Sequence, residues 1–266
     1  MENRVPVITL TTDFGDKDGF VGVLKGVIWG ICPTAQIADI THAITPQDIL
    51  EGALALSRSV PFFPPGTIHV AIVDPGVGTD RRPAAARLGD YFFVGPDNGL
   101  FTPMVQEALR LSQIVEFIHL DKPGFWLPNV SHTFHGRDIF APVAAHLAQG
   151  VNFSDLGTPF DDPTLLELPR PIRTQNGWTT HVTIIDTFGN VTTDLPANMI
   201  SDNDEVEFTL HGKCITGLVD SYGWKKKGEL VALVDSEGFI EIAVVNGSAA
   251  RELGVEIGDV VEVTLK

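Results

Sequence analysis

The sequence predicts an α/β N-terminal domain with a mainly parallel central sheet, followed by a smaller all-β, barrel-like domain. Three observations carry this. From residue 5 to about 148, short apolar runs rich in β-branched residues alternate with longer stretches of helical periodicity. Several of those runs end in turns that set an acidic side chain beside glycine or proline, as at strand ends facing the ligand crevice of open α/β sheets. At Leu168-Pro169-Arg170-Pro171 the helical periodicity stops, and short strand-like segments separated by glycines and polar turns fill the remainder. The expected domains are residues 1–167 and 174–266, with a stiff linker at 168–173.

Residues 5–10 read as a strand leading into Thr11-Thr12-Asp13-Phe14-Gly15-Asp16 and a glycine-bearing helix over 19–31. Asp13 is here either a helix cap or an acid facing a ligand. A second strand, 36–40, ends in Thr41-His42, and Thr45 is expected to cap a helix with Pro46 in its first position. That helix stops near Pro61. Strand 68–73 then runs into Asp74-Pro75-Gly76, where Pro75 fixes its own φ and pushes Asp74 out of the helical region. Gly76 and Gly78 permit close backbone approach, and Arg81 and Arg82 bring guanidinium near the acid. Two strands joined by Gly89-Asp90 follow, at 84–88 and 91–94, then the acidic turn Gly95-Pro96-Asp97-Asn98-Gly99. A helix near 102–111 and a strand near 114–118 continue the alternation, and SHTFHGRD (131–138) opens an apolar helix over 139–148. Two histidines, an arginine and an aspartate at a helix start make a poor cap and a good anion or polar-substrate site.

Composition narrows the partners. A net charge of −16 argues against nucleic acid or an anionic membrane surface. The 2 cysteines, Cys32 and Cys214, suggest neither a disulfide framework nor a zinc site. With no signal-peptide pattern and no apolar run of membrane-spanning length, a cytoplasmic protein is expected. In the second half, Asp186-Thr187-Phe188-Gly189-Asn190 ends one strand with an acid, an aromatic and an amide. Asn246-Gly247-Ser248-Ala249-Ala250 ends another with small residues and backbone donors, a grip for a flat heterocycle. Each also reads as a plain hairpin turn.

TTDFG, DITH, VDPGVGTDRR, PDNG, TFHGRD, DTFGN and NGSAA follow one another along nearly the whole chain. In that order they resemble the S-adenosylmethionine hydroxide adenosyltransferases, adenosine-forming hydrolases related to the bacterial fluorinase and chlorinase. The resemblance implies a homotrimer with active sites between neighbouring subunits. It also implies hydrolysis of S-adenosylmethionine to adenosine and L-methionine by attack of water or hydroxide at the ribose 5′ carbon, with no cofactor. The water-handling Asp-Arg-His set of the family falls on Asp74, Arg81 and His135, and its ribose-binding acid on Asp13. Asp186 and Asn190, with Phe188 nearby, match the grip on the methionine ammonium and carboxylate end; Asn246 and Ser248 match the adenine-contacting strand end. In the halogenases a tyrosine stands where Asp74 does and the stretch matching His135-Gly136 differs, so this chain favours water over halide. Gln47 and Thr192 stand where the fluorinase has tryptophans, and contacts there do not transfer.

The chemistry fits this reading. A sulfonium is already a good leaving group, so the difficulty lies in supplying hydroxide at neutral pH. Asp74 or His135 can accept a proton from one water, and Arg81 can hold the developing hydroxide and orient Asp74. A desolvated pocket favours the charge-neutralising transition state, and no metal is needed. Two alternatives stay open at this point. A metal-dependent phosphoesterase would use Asp13, His42, Asp74 and His135 as ligands, with Arg81 an unwelcome neighbour. A non-catalytic nucleoside-binding module would keep the adenine and ribose contacts alone.

Overall fold

Apolar, β-branched runs build the sheet of the first unit: β1 (Val7–Thr12), β2 (Gln36–Thr41), β3 (Ile68–Ile72), β4 (Pro83–Leu88), β5 (Tyr91–Pro96), β6 (Val115–His119) and β7 (Thr158–Phe160). The computed structural model describes residues 5–201 and 205–266, and the chain divides into two compact units, Met1–Glu167 and Leu168–Lys266. The first sheet has 7 strands in the order β2-β1-β3-β5-β4-β6-β7. It is parallel where β1 pairs with β2 and β3 and where β3 pairs with β5. Beyond β5 it is antiparallel, because the Gly89-Asp90 turn reverses the chain between β4 and β5. A two-residue connection can join only antiparallel neighbours. The sheet is therefore mixed, its parallel half holding the strand ends of interest.

Every residue of β3 is buried, since helices cover both faces of the sheet. Val70 and Ile72 pack on one face with Leu24 and Ile28 of helix α1 (Phe20–Ile31). Ala71 and the following Val73 pack on the other with Ala53 and Leu56 of α2 (Ile49–Ser59) and Met104 and Val105 of α3 (Thr102–Arg110). The last helix of this unit, α4 (Ala141–Ala148), joins the α1 face and is entered through a π-helical turn, Gly136–Phe140, so the helical segment starts earlier than residue 139. Helix α2 also departs from expectation. Its cap is Asp48, which accepts the Glu51 N–H at 2.9 Å, and neither Thr45 nor Pro46 begins it. The reason is Gln47, whose φ of 70° is left-handed and cannot continue a helix.

The second unit is an antiparallel sheet of β8 (Ile172–Thr174), β9 (Gly177–Ile185), β10 (Val191–Pro196), β11 (Val206–Leu210), β12 (Lys213–Thr216), β13 (Leu230–Val234), β14 (Phe239–Val244) and β15 (Val260–Leu265). Its order is β12-β11-β15-β9-β10-β14-β13, with β8 paired to β9 off this path. The end strands β12 and β13 approach each other, making the sheet barrel-like around Val182, Val191, Phe208, Ile242 and Val261. A short helix, α5 (Ala249–Leu253), follows β14. Among the described residues no helix is long and apolar enough to cross a membrane.

His69 of β3 is fully buried, with Nδ1 2.8 Å from Thr9 Oγ1 and its ring stacked on Phe93. Burial pushes its pKa down from 6.5 to about 3. The unfolded chain therefore binds a proton that the folded chain refuses between those values, so stability falls as pH drops below 6.5. In His69→Gln the unfolding free energy should fall less steeply between pH 6 and 4, by up to about 1.4 kcal/mol per pH unit. Denaturant titrations across that range check this; parallel profiles would contradict it.

Candidate active site

At the carboxyl end of β3 the chain turns through Asp74-Pro75-Gly76, and the loop folds back on itself. The Val77 N–H bonds the Asp74 carbonyl at 3.3 Å, and the Thr79 hydroxyl bonds the Gly76 carbonyl at 2.6 Å. This return brings Arg81 against Asp74. Its Nε donates to Oδ1 at 2.9 Å and its Nη2 to Oδ2 at 2.5 Å, with both side chains largely buried. The same Nη2 lies 3.0 Å from Nδ1 of His135, and the Phe140 ring centroid is 5.2 Å from the guanidinium carbon. The acid, the guanidinium and the imidazole predicted from sequence are thus in one hydrogen-bonded set.

That contact determines the state of the imidazole. A guanidinium is always charged and has no acceptor, so His135 Nδ1 must present its lone pair and the proton of the neutral ring sits on Nε2. Burial lowers the His135 pKa below the ordinary 6.5, and the charge of Arg81 lowers it further, against opposing contributions from Asp74 and Asp138. At neutral pH the ring is an uncharged donor through Nε2.

Asp74 and His135 line a cavity of about 610 Å³ together with Asp13, Gln47 and Arg137. Its apolar wall includes Phe14, Phe20 and Phe134, which meet edge to face with centroids 5.3–6.0 Å apart. A cavity of about 520 Å³ elsewhere in this unit has, among the described residues, Arg87 as its one charged lining group and gathers none of the predicted residues.

Asp13 is no helix cap. The residue preceding α1 is Gly19, which makes no side-chain cap bond. Instead Oδ2 of Asp13 accepts the Gln47 N–H at 2.8 Å, and the left-handed backbone at Gln47 aims that donor. The turn bearing Asp13 is braced from DITH: Thr12 Oγ1 lies 2.9 Å from His42 Nδ1, and the Gly15 N–H bonds the His42 carbonyl at 2.8 Å. His42 Nε2 lies 3.1 Å from Asp39, so this histidine faces its brace partners. The ligand set of the phosphoesterase alternative is accordingly not assembled: among the described residues no group of three or more His, Cys, Asp or Glu is placed to hold a metal ion. PDNG also braces. Buried Asp97 binds Arg82 at 2.9 Å and the Thr164 N–H at 2.8 Å, and Asn98 Nδ2 bonds the Val73 carbonyl at 2.8 Å.

In the second unit the two predicted turns meet each other. The Gly189 carbonyl accepts the Ala250 N–H at 2.9 Å, and a Cβ on Gly189 would come within 2.0 Å of Ser248 Oγ. Asp186 Oδ1 accepts the N–H groups of Phe188 and Asn190 at 2.9 and 2.8 Å, and its Oδ2 accepts from Asn190 Nδ2 at 3.0 Å. Ser248 Oγ caps α5 by accepting the Arg251 N–H at 3.2 Å, and Asn246 is held at a φ of 53°. These side chains shape their turns and leave Phe188 76% exposed. Thr192 is buried, its hydroxyl 3.5 Å from Asp235.

Sequence reasoning grouped Arg137 and Asp138 with the histidines as one polar-substrate site; the structure separates them, with Arg137 lining the cavity and Asp138 fully buried beside it. Sequence reasoning also left the bracing role of His42 unread.

An acid, a guanidinium and an imidazole joined on the wall of a strand-end cavity define an enzyme-type small-molecule site on an α/β unit. The chain belongs to the SAM hydroxide adenosyltransferase family, whose N-terminal domain matches residues 8–157 and whose C-terminal domain matches residues 180–262. The (R)-S-adenosyl-L-methionine hydrolase of Salinispora tropica is 40% identical over 262 residues, spanning 97% of this chain and 98% of that protein. The hydrolase of that name from Thermus thermophilus is 39% identical over 258 residues, spanning 95% and 97%. The crystal structure of an uncharacterized conserved protein from Thermotoga maritima aligns with a TM-score of 0.89 at 36% identity, covering 97% of this chain and 99% of that one.

The loop after β3 and the stretch before His135 touch at Gly78, where φ is +75° and a Cβ would lie 2.2 Å from the His132 carbonyl oxygen. Gly78→Ala should lower stability by about 1–3 kcal/mol, from strain and the displaced loop. Gly124→Ala, in open space, should stay within about 0.5 kcal/mol. Chemical denaturation of both variants checks the contrast.

Proposed function

We propose that this protein hydrolyses S-adenosylmethionine to adenosine and L-methionine, with water attacking the ribose 5′ carbon. The observation that carries the reading is Arg81 bonded at once to Asp74 and His135, the latter two lining the cavity that also holds Asp13. A bond forms from the water oxygen to C5′, the C5′–S bond breaks with its electron pair going to sulfur, and the water's proton must leave. With the Nδ1 lone pair of His135 engaged by Arg81, Asp74 is the acceptor for that proton. His135 supplies a donor through Nε2 to orient the water, and the Arg81 charge offsets the growing negative charge on oxygen.

Asp13, with Oδ1 and one remaining lone pair on Oδ2, is read as the acceptor for the ribose hydroxyls. In the second unit Asp186, Asn190 and Phe188 are read as the methionine-end contacts, and Asn246 and Ser248 as the adenine contacts. The catalytic set and the ribose acceptor Asp13 thus belong to a domain spanning residues 1–167, and the methionine-end and adenine contacts to one spanning 174–266. In line with the family resemblance, the working form is a cytoplasmic homotrimer with active sites at subunit interfaces. This chemistry asks for no cofactor or metal, and no nucleic acid or membrane partner.

Incubation with S-adenosylmethionine in water enriched in heavy oxygen should yield adenosine labelled at the 5′ hydroxyl. Asp74→Asn should cut turnover by about 10²–10⁴-fold, the range for loss of a proton acceptor. Unlabelled adenosine, or full turnover in that variant, would sink the assignment. Asp13→Ala should weaken adenosine binding by about 2–4 kcal/mol, because two hydroxyls lose their acceptor. Calorimetric titration measures it, and unchanged affinity would limit Asp13 to bracing the Gln47 turn.

A further inference from the structure

His135 stands at the end of a stretch, residues 126–134, that has no helix or strand of its own. Something outside the local backbone must fix it, and the contacts converge on one carboxylate. Asp138 is fully buried. Its Oδ2 accepts the Ser131 N–H at 2.8 Å and the Ser131 hydroxyl at 2.7 Å. Arg137 donates to the same carboxylate through Nε at 2.6 Å and Nη2 at 3.1 Å. Ser131 Oγ in turn accepts the Phe134 N–H at 3.1 Å, the Asp138 carbonyl accepts the Leu127 N–H at 2.9 Å, and the Arg137 guanidinium lies over the Phe134 ring at 5.3 Å. A buried carboxylate persists only when its charge is answered by donors, and here those donors are the loop itself. Its ionised form is favoured: burial raises the carboxyl pKa, but the Arg137 and Ser131 bonds more than offset this and leave it below the usual value.

We propose that Asp138 is a positioning residue for the hydrolytic reaction, holding the Ser131–His135 loop so that His135 Nδ1 stays within hydrogen-bond reach of Arg81. The assignment rests on the function proposed above. Asp138 does not itself line the cavity, whereas Ser131, His135 and Arg137 do, so it acts through the groups it holds and should affect turnover far more than ligand binding. Misplacing a water-orienting group by an ångström is enough to cost on the order of 10²-fold in turnover.

A double-variant cycle tests this, using the full chain with kcat and KM for S-adenosylmethionine and the dissociation constant of adenosine. Asp138→Asn should lower kcat on the order of 10²-fold with adenosine affinity changed by less than about 3-fold. Ser131→Ala, which keeps the buried ion pair and so protects folding, should lower kcat in the same sense by a smaller factor. In a His135→Ala background either substitution should add less than about 3-fold, since residues acting as a unit are not additive. If the effects multiply with that of His135→Ala, or if adenosine affinity falls in step with kcat, Asp138 merely supports the fold and the proposal is overturned. If His135→Ala alone retains full turnover, the role of His135 fails instead, and the two failures are distinguishable.

Discussion

The Arg81 guanidinium is the group on which the site depends. It is a buried cation, and Asp74 is a buried anion facing it. Removing one partner of such a pair strands the other charge at a cost of about 3–5 kcal/mol, which is why the loop must bring them together wherever the fold is intact. Because a guanidinium presents several donors in a rigid fork, the same group that neutralises Asp74 also reaches His135. One side chain thereby places the acid, sets the imidazole tautomer and leaves a positive field beside both.

The scaffold around that fork consists of braces rather than further chemistry. Loops leaving β1 and β3 are held from the side: His42 steadies the turn bearing Asp13, and Asn98 holds the Val73 carbonyl just before Asp74. Gly78 lets the loop after β3 meet the His132 backbone. The π-helical turn from Gly136 seats Asp138 in the core directly after His135. Two of the braces, His42 and Asp138, are residues that a sequence reader would also rank as ligand or site residues, and only tertiary contacts separate the two uses.

Much of this was legible in the sequence because it rests on local rules. Short apolar, β-branched runs and helical periodicity marked the strands and helices, and Asp-Pro after an apolar run placed Asp74 at a strand end. The Asp74–Arg81–His135 grouping followed from a family resemblance, and the structure brings the three together. What was not legible depends on non-local contacts. Gln47 adopts a left-handed backbone although nothing in its residue type asks for one, so the start of α2 was displaced to Asp48. The Gly89-Asp90 turn was visible, but its consequence, an antiparallel half of the sheet, depends on which strand β4 pairs with next. Asp97 looked like an acidic turn of the ligand-binding kind and braces Arg82 instead. Asp138 was inside a recognised motif, yet its bond to Ser131 spans an irregular loop that carries no periodic signal.

The most direct test of the account is the protonation state of His135, because it follows from the Arg81 contact alone. Nitrogen-15 NMR of histidine-labelled protein, assigned with His135→Ala, reads the two ring nitrogens separately. At neutral pH the account predicts an unprotonated Nδ1 and a protonated Nε2, with the ring staying uncharged below its ordinary value of 6.5. A doubly protonated ring at neutral pH, or a proton on Nδ1, would contradict it, for then Arg81 could not be donating to His135.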